Sequence, residues 1–179
     1  AVELPVEVVG HFSEPDEIDA ADIEVTGEIL GEGRFGKVKE AVLQDGHGRC
    51  VRVALKMMGA VGSADAAAFY KEIAVLRTVS KRCDRVCRLY GTCEKDGSHC
   101  IVMKRYVCSL TKLMEDSPSR KLPTARVLDI SQQISSALGD LHSNRVIVHD
   151  LKPANILIDE NGDAVLADFG ISSVIEQTL

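Results

Sequence analysis

The stretch LGEGRFGKV constrains the fold of this chain more than any other, because three glycines lie between two runs of strand-forming residues. They are Gly31, Gly33 and Gly36, flanked by Leu30 and Val38. Glycine has no Cβ, so the backbone of such a turn can approach an anion and donate its amide hydrogens to it. A dinucleotide-binding turn would lead into a helix, whereas a second strand-like run follows here. The pattern predicts a β-hairpin folded over phosphates, with an ordinary glycine-rich hairpin as the alternative.

The rest of the first half is predicted to be an antiparallel meander with one helix. QDGHG indicates a turn into CVRVALKMM, and the Asp-Gly of KDGS indicates a hairpin between VCRLYGTCE and HCIVMKRY. Between them, SADAAAFYKEIAVLRTVSK is predicted to be helical, with Ser63 as the cap and Asp65 at the positive end of the dipole. Its apolar face carries Phe69, Ile73 and Leu76.

A long helix and three short strands are predicted for the second half. TARVLDISQQISSALGDLHSN has apolar residues at helical spacing, and RVIV, ILID and AVLAD are strand-like. The predicted apolar face of the helix consists of Val127, Ile130, Ile134, Leu138 and Leu141. The chain is therefore predicted to be an α+β protein.

Composition and charge exclude several classes of protein. The 179 residues are 45% hydrophobic, which is enough for one domain or two small lobes with a buried core. The net charge of −6 and the lack of any Lys/Arg run argue against a nucleic-acid partner. No apolar run approaches the ~20 residues that cross a bilayer, so we expect a soluble, cytoplasmic protein without a membrane segment.

Residues 1–22 are predicted to form an acidic N-terminal extension. Residues 1–33 contain ten Asp or Glu residues and no Lys or Arg. The extension is either an acidic docking arm or a solvated segment ahead of the first strand.

The cysteines form no C-x-x-C pair and lie mostly in strand-like surroundings. Buried, reduced thiols are therefore expected, with a disulfide or zinc site as the alternative. The six are Cys50, Cys83, Cys87, Cys93, Cys100 and Cys108.

Two residues of opposite charge are predicted to meet in the first half. VALK places Lys56 on the strand that follows the glycine hairpin, and Glu72 lies sixteen residues later in the predicted helix. An ion pair between them would hold the ammonium group in position for phosphate oxygens. A surface lysine on a strand is the alternative.

Three polar side chains of the second half are candidates for chemistry. DLKPAN contains Asp150 and Asn155, and Asp168 follows in DFG after a strand-like hairpin. Asn155 and Asp168 offer hard oxygen ligands of the kind that Mg²⁺ takes together with waters and phosphate oxygens. Asp150 would then be free to orient an attacking hydroxyl group.

With these motifs in this order, residues 23–179 resemble a eukaryotic-type protein kinase domain. The resemblance implies a two-lobed fold: a five-stranded antiparallel lobe with one helix and a hinge at 23–106, and the first part of a mainly helical lobe at 107–179. It implies ATP and Mg²⁺ as cofactors, and transfer of the γ-phosphate to a Ser or Thr hydroxyl of a protein substrate. With Lys152, the motif DLKPAN resembles the corresponding motif of the serine/threonine-specific branch of the family. The alternative is a nucleotide-binding pseudokinase or scaffold that acts by interaction.

The resemblance also assigns roles to individual residues. Lys56, paired with Glu72, would contact the α- and β-phosphates, and Asp150 would orient the substrate hydroxyl. Lys152 would steady the γ-phosphate, while Asn155 and Asp168 would hold Mg²⁺. The other residues implied to bind the nucleotide are Leu30, Gly31, Gly33, Gly36, Val38, Ala54, Met103 as gatekeeper, Arg105 and Tyr106 with Lys104 in the hinge, and Leu157.

The loop RVIVHDLKPANILID lacks the Arg that the family carries between its loop His and Asp. Asp150 lies nine positions after Leu141, as in the family, so the loop has its full length. Val148 therefore stands where the family has His, and His149 stands where it has Arg.

These two exchanges have different expected consequences. Val148 is predicted to pack in an apolar column with Leu76, Leu89 and Phe169, without the hydrogen bonds of an imidazole. His149 cannot make the two-pronged contact by which Arg grips a phosphorylated activation loop. We therefore expect activity that does not depend on phosphorylation of that loop.

Only nine residues follow Gly170. We expect the sequence to be a piece of a longer chain, without the rest of the activation segment and the later helices of the large lobe. The piece alone is expected to fold poorly and to lack the platform for a peptide substrate.

Overall fold

The computed structural model describes residues 17–33, 36–44, 49–60 and 66–174. The first sixteen residues, the turn at 45–48 and the predicted helix start with Ser63 and Asp65 lie outside the described residues.

A five-stranded antiparallel sheet forms most of the first half, as predicted. Its strands are β1 (Ile23–Gly33), β2 (Gly36–Gln44), β3 (Cys50–Ala60), β4 (Leu89–Lys95) and β5 (Ser98–Lys104), in the order β1-β2-β3-β5-β4. Asp96 and Gly97 join β4 to β5 with φ values of 52° and 72°. Two successive residues with positive φ make the turn that matches the twist of a hairpin.

One helix, α1 (Ala66–Val79), packs against this sheet. Phe69, Ile73 and Leu76 are buried, which confirms the predicted apolar face. Glu72 shares their side of the helix and is 1% exposed. The helix therefore carries a carboxylate into the interior.

The second half contains short strands and two helices. In chain order these elements are β6 (Cys108–Ser109), α2 (Leu110–Asp116), α3 (Thr124–Ser143), β7 (Val146–Ile147), β8 (Ile156–Ile158), β9 (Ala164–Leu166) and β10 (Ser173–Val174). Strands β6, β8 and β9 form one small sheet, and β10 pairs with β7 in another. The sequence did not predict α2, because seven residues are too few for a helical period to stand out.

The apolar face of α3 is shorter than predicted. Ile130, Ile134 and Leu141 are buried and Leu138 is partly buried, but Val127 is 46% exposed. The first turn of α3 extends past the apolar core, so helical spacing alone did not guarantee burial there.

One apolar cluster joins the two halves of the chain. It includes Leu76 from α1 and Phe169, with Leu89 and Val148 packed against it. All four residues of the predicted column therefore belong to one apolar cluster, in which Val148 is partly buried. His149, the next residue, is exposed.

The six cysteines are free thiols. Cys83, Cys87, Cys93 and Cys100 are buried, whereas Cys50 is exposed. No helix within the described ranges is long and apolar enough to cross a membrane.

Candidate functional site

Lys56 stands at the centre of a three-residue charge cluster. Its Nζ donates hydrogen bonds to both carboxylate oxygens of Glu72, at 2.7 and 2.6 Å, and to Oδ1 of Asp168 at 3.0 Å. Strand β3 supplies the lysine, α1 supplies the glutamate, and the aspartate comes from a position 112 residues after Lys56. The sequence predicted the pair with Glu72; the contact with Asp168 was not predicted.

Burial controls the protonation of this cluster. Desolvation opposes a charge on Lys56, but the two carboxylates outweigh it and raise the pKa of the ammonium group. Burial likewise raises the pKa of the Glu72 carboxyl, although Lys56 and a backbone hydrogen bond from Phe169 act in the opposite direction. With an ammonium nitrogen 2.6 Å away, we assign an ionised pair at neutral pH, so Lys56 is a fixed cation.

The backbone at Asp168 directs this carboxylate toward Lys56. Asp168 has a φ of 61°, a left-handed conformation that is uncommon outside glycine. The next residue, Phe169, is fully buried, while the side chain of Asp168 is 36% exposed. The buried ring anchors the segment, and the carboxylate stays partly exposed.

A second polar group surrounds Asp150, which follows β7. Lys152 Nζ contacts Asp150 Oδ2. Asn155 Nδ2 donates to the backbone oxygen and to Oδ2 of Asp150, both at 2.9 Å. The hydrogen bond from Lys152, followed by that from Asn155, holds the pKa of Asp150 below its ordinary value. Asp150 is therefore a carboxylate at neutral pH.

One backbone hydrogen bond connects Asn155 to the segment that carries Asp168. Ala167 N–H donates to Asn155 O at 2.9 Å, which places the two proposed Mg²⁺ ligands on adjoining backbone. Because Asn155 uses its amide nitrogen for Asp150, its Oδ1 has no partner among the described residues. No group of three or more His, Cys, Asp or Glu side chains that could hold a metal occurs in the part of the chain that the structure describes. An amide and a carboxylate oxygen fit Mg²⁺, which fills its other positions with waters and phosphate oxygens.

The predicted hinge offers free backbone groups. Lys104 N–H donates to Arg88 O and Val107 N–H donates to Ile158 O, both at 2.9 Å. Tyr106, between them, makes no backbone hydrogen bond with another described residue, although it is buried. The edge of a heterocyclic base carries donors and acceptors that suit such amide and carbonyl groups.

The other predicted nucleotide contacts lie around this hinge or in the glycine hairpin. Ala54 on β3 lies beside Met103 on β5, and Val38 on β2 lies beside Lys56. Leu157 lies on β8, in the other half of the chain, and is partly buried. Leu30, Gly31 and Gly33 end β1, and Gly36 begins β2; residues 34 and 35 lie outside the described residues.

Gly36 has a packing role that the sequence did not indicate. Its φ is 136°, and a Cβ at this position would collide with the backbone oxygen of Met57 on β3. Gly31, by contrast, has open space around it. Gly36 therefore lets β2 approach β3, apart from any contact with phosphate.

Sequence analysis also missed an ion pair at the hinge. Arg105 Nε lies 3.2 Å from Glu40 Oε1, and its Nη1 donates to Val107 O at 3.3 Å. Glu40 lies on β2 opposite Ala54, so the pair ties the glycine hairpin to the hinge. No sequence signal connects two charges 65 residues apart.

Comparison with known proteins identifies this arrangement. The family model "Protein kinase domain" matches residues 25–179. The chain belongs to the protein kinase domain family. The glycine hairpin, the Lys56–Glu72 pair and Asp168 all lie within the matched residues.

Relatives of this kinase domain include proteins of different overall design. It is 32% identical over 154 residues to the E3 ubiquitin-protein ligase KEG of Arabidopsis thaliana, covering 84% of this chain and 9% of KEG. It is 29% identical over 155 residues to serine/threonine-protein kinase STK11 of Rattus norvegicus, covering 83% of this chain and 34% of STK11. It is 31% identical over 156 residues to cyclin-dependent kinase 4 of Mus musculus, covering 81% of this chain and 50% of that kinase. The kinase domain thus spans half or less of the length of these relatives.

Proposed function

We propose that this protein is an ATP-dependent protein kinase that transfers the γ-phosphate to a Ser or Thr hydroxyl group of a protein substrate. The observation that carries the proposal is the Lys56 cluster: a fixed cation that contacts a partly exposed carboxylate, Asp168, at 3.0 Å. A cation and a carboxylate held together in this way suit a polyphosphate and its metal ion.

The nucleotide would be held at both of its ends. The free backbone groups of Tyr106 are suited to the adenine edge, and Val38, Ala54 and Leu157 are suited to its faces. Lys56 would bind the α- and β-phosphates, kept in position by Glu72. The glycine hairpin, with Leu30, Gly31, Gly33 and Gly36, would cover the phosphates.

Bound ATP supplies the phosphoryl group, and Mg²⁺ neutralises the charge that develops on it. Asn155 Oδ1 and the Asp168 carboxylate are the residues that would hold the metal. Their backbone connection through Ala167 would keep the two ligands at a constant separation.

Asp150 would orient the substrate hydroxyl and accept its proton. Its lowered pKa keeps Asp150 ionised, as an acceptor of a hydrogen bond from that hydroxyl must be. Lys152 contacts the same carboxylate and is about half exposed, so it can exchange this contact for the γ-phosphate. Both side chains come from a single short loop, which favours a defined geometry.

Two observations bear on the acceptor residue. Lys152 in DLKPAN and the similarity to serine/threonine-protein kinase STK11 support a Ser/Thr acceptor. A cytoplasmic location remains a prediction from the sequence.

A radioactive transfer assay tests the proposal. The complete natural chain is incubated with γ-labelled ATP, Mg²⁺ and a mixture of acceptor proteins, and the labelled residues are identified after acid hydrolysis. We expect label on Ser or Thr that requires Asp150. Label confined to Tyr would refute the acceptor assignment, and label that persists in Asp150→Asn would refute the catalytic assignment.

Val148 and His149 favour one other function, that of a nucleotide-binding scaffold. Both replace residues that the resemblance associates with the catalytic loop, and a scaffold needs neither of them. The retention of Lys56, Asp150 and Asp168 argues for the kinase. Mg²⁺-ATP binding by the complete chain without any transfer would favour the scaffold.

A further inference from the structure

His149 makes a side-chain contact that neither the sequence motifs nor the proposed chemistry requires. Its Nε2 lies 2.7 Å from the Oγ of Ser173, a hydrogen bond between residues 24 positions apart. His149 directly precedes Asp150, and Ser173 lies five residues after Asp168. The contact therefore joins the two segments that carry the principal carboxylates of the site.

The backbone connection between these segments is short. Strand β10 pairs with β7 through only two residue pairs, Ser173 with Ile147 and Val174 with Val146. Two paired residues contribute little stability alone, so a side-chain bond beside them matters for the alignment. The His149–Ser173 bond adds a third connection, on the side nearest Asp150.

The remainder of the segment is fixed at its other end. Phe169 is fully buried in the apolar cluster, and Ser172 N–H donates to Phe169 O at 3.0 Å. Ser172 itself is 1% exposed. Only four residues lie between Asp168 and Ser173, so a restraint at Ser173 also limits the positions open to Asp168.

We propose that the His149–Ser173 hydrogen bond is a latch that aligns Asp150 with Asp168 without a phosphate group on the chain. The inference rests on the proposed kinase function, because alignment of the two carboxylates matters for transfer. A hydroxyl both donates and accepts, so Ser173 can bond with either tautomer of the His149 ring. Both are positioning residues, since neither contacts the reacting atoms.

Kinetic measurements on the complete, phosphatase-treated chain test the latch. Mass spectrometry first verifies that the activation segment carries no phosphate. We expect His149→Ala and Ser173→Ala each to lower kcat about two- to tenfold, the size of one net hydrogen bond, with KM for ATP changed less than twofold. The double variant should be no worse than either single variant, because both remove the same bond.

Two further variants separate positioning from a general structural effect. Ser173→Thr keeps the hydroxyl group and should retain most of the unaltered kcat. His142→Ala removes an exposed histidine from the end of α3 and should leave kcat unchanged. Equal losses in Ser173→Thr and Ser173→Ala, or additive losses in the double variant, would overturn the latch. So would an unaltered enzyme that phosphatase treatment inactivates.

A measurement that does not depend on phosphate transfer distinguishes failure of the latch from failure of the proposed function. Amide hydrogen exchange of the peptide covering 146–150 should be faster in Ser173→Ala than in the unaltered protein, and normal in Ser173→Thr. Unchanged exchange in Ser173→Ala would overturn the latch even if the protein is an active kinase. Faster exchange in an inactive protein would instead support the latch and reject the kinase function.

Discussion

The Lys56 cluster predicts an asymmetry between its two buried members. Lys56→Met leaves the Glu72 carboxyl, 1% exposed, without the cation that neutralises it. Glu72→Gln leaves Lys56 with a second anion, Asp168, at 3.0 Å. The lysine variant should therefore destabilise the fold more than the glutamine variant.

The expected magnitudes follow from burial. Breaking a buried ion pair by removing one partner costs about 3 to 5 kcal/mol, and we expect this cost for Lys56→Met. Because Asp168 remains, though partly exposed and screened by solvent, Glu72→Gln should cost only about 1 to 3 kcal/mol. The double variant removes both charges and should cost less than Lys56→Met alone.

Urea unfolding of the complete chain at pH 7.5, without nucleotide or metal, measures these free energies of unfolding. The raised pKa of Lys56 means that the contribution of its charge is fully present below pH 10.5 and declines only as the pH rises above that value. Lys81→Met, at an exposed lysine, is the matched control and should change stability by less than about 0.5 kcal/mol. A Glu72→Gln cost equal to or greater than that of Lys56→Met, or additive costs in the double variant, would refute the reasoning.

Three other predictions concern the surroundings of the site. Glu40→Gln breaks the ion pair between β2 and the hinge and should speed dissociation of a fluorescent ATP analogue about two- to fivefold. Such a partly exposed pair is worth up to about 1 kcal/mol. An unchanged dissociation rate would show that the pair does not restrain the nucleotide. Burial raises the pKa of Cys87 to about 12, so its thiolate is scarce at pH 8. Iodoacetamide should therefore modify exposed Cys50 first, which peptide mass spectrometry can determine. Early labelling of Cys87 would contradict its burial. Gly36→Ala should lower the urea midpoint of unfolding markedly, whereas Gly31→Ala should change it little, because Gly31 has open space around it. Equal shifts of the midpoint would contradict the packing of β2 on β3.

Local signals predicted much of the fold. The Asp-Gly turn at residues 96 and 97 and the helical spacing of Phe69, Ile73 and Leu76 depend on neighbouring residues, and the structure contains both. The pair of Lys56 with Glu72 was also predictable, because it connects two elements that are close in sequence.

Two polar contacts between distant segments were not predicted from the sequence. Asp168 reaches Lys56 across 112 residues, and His149 reaches Ser173 across the DFG segment. Such contacts depend on how whole elements pack, which periodicity does not report. The exposure of Val127 has the same origin: helical spacing defines a face, and tertiary packing decides how far that face is covered.

The central claim is that Asp150 acts in transfer while other residues bind the nucleotide. The most direct test measures both properties on one Asp150→Asn sample of the complete chain: Mg²⁺-ATP affinity by calorimetric titration, and γ-phosphate transfer by radiolabel. We expect a transfer rate at least about 100-fold below that of the unaltered protein, with Kd within about threefold. Transfer at the unaltered rate, or a Kd that weakens in step with the rate, would contradict it.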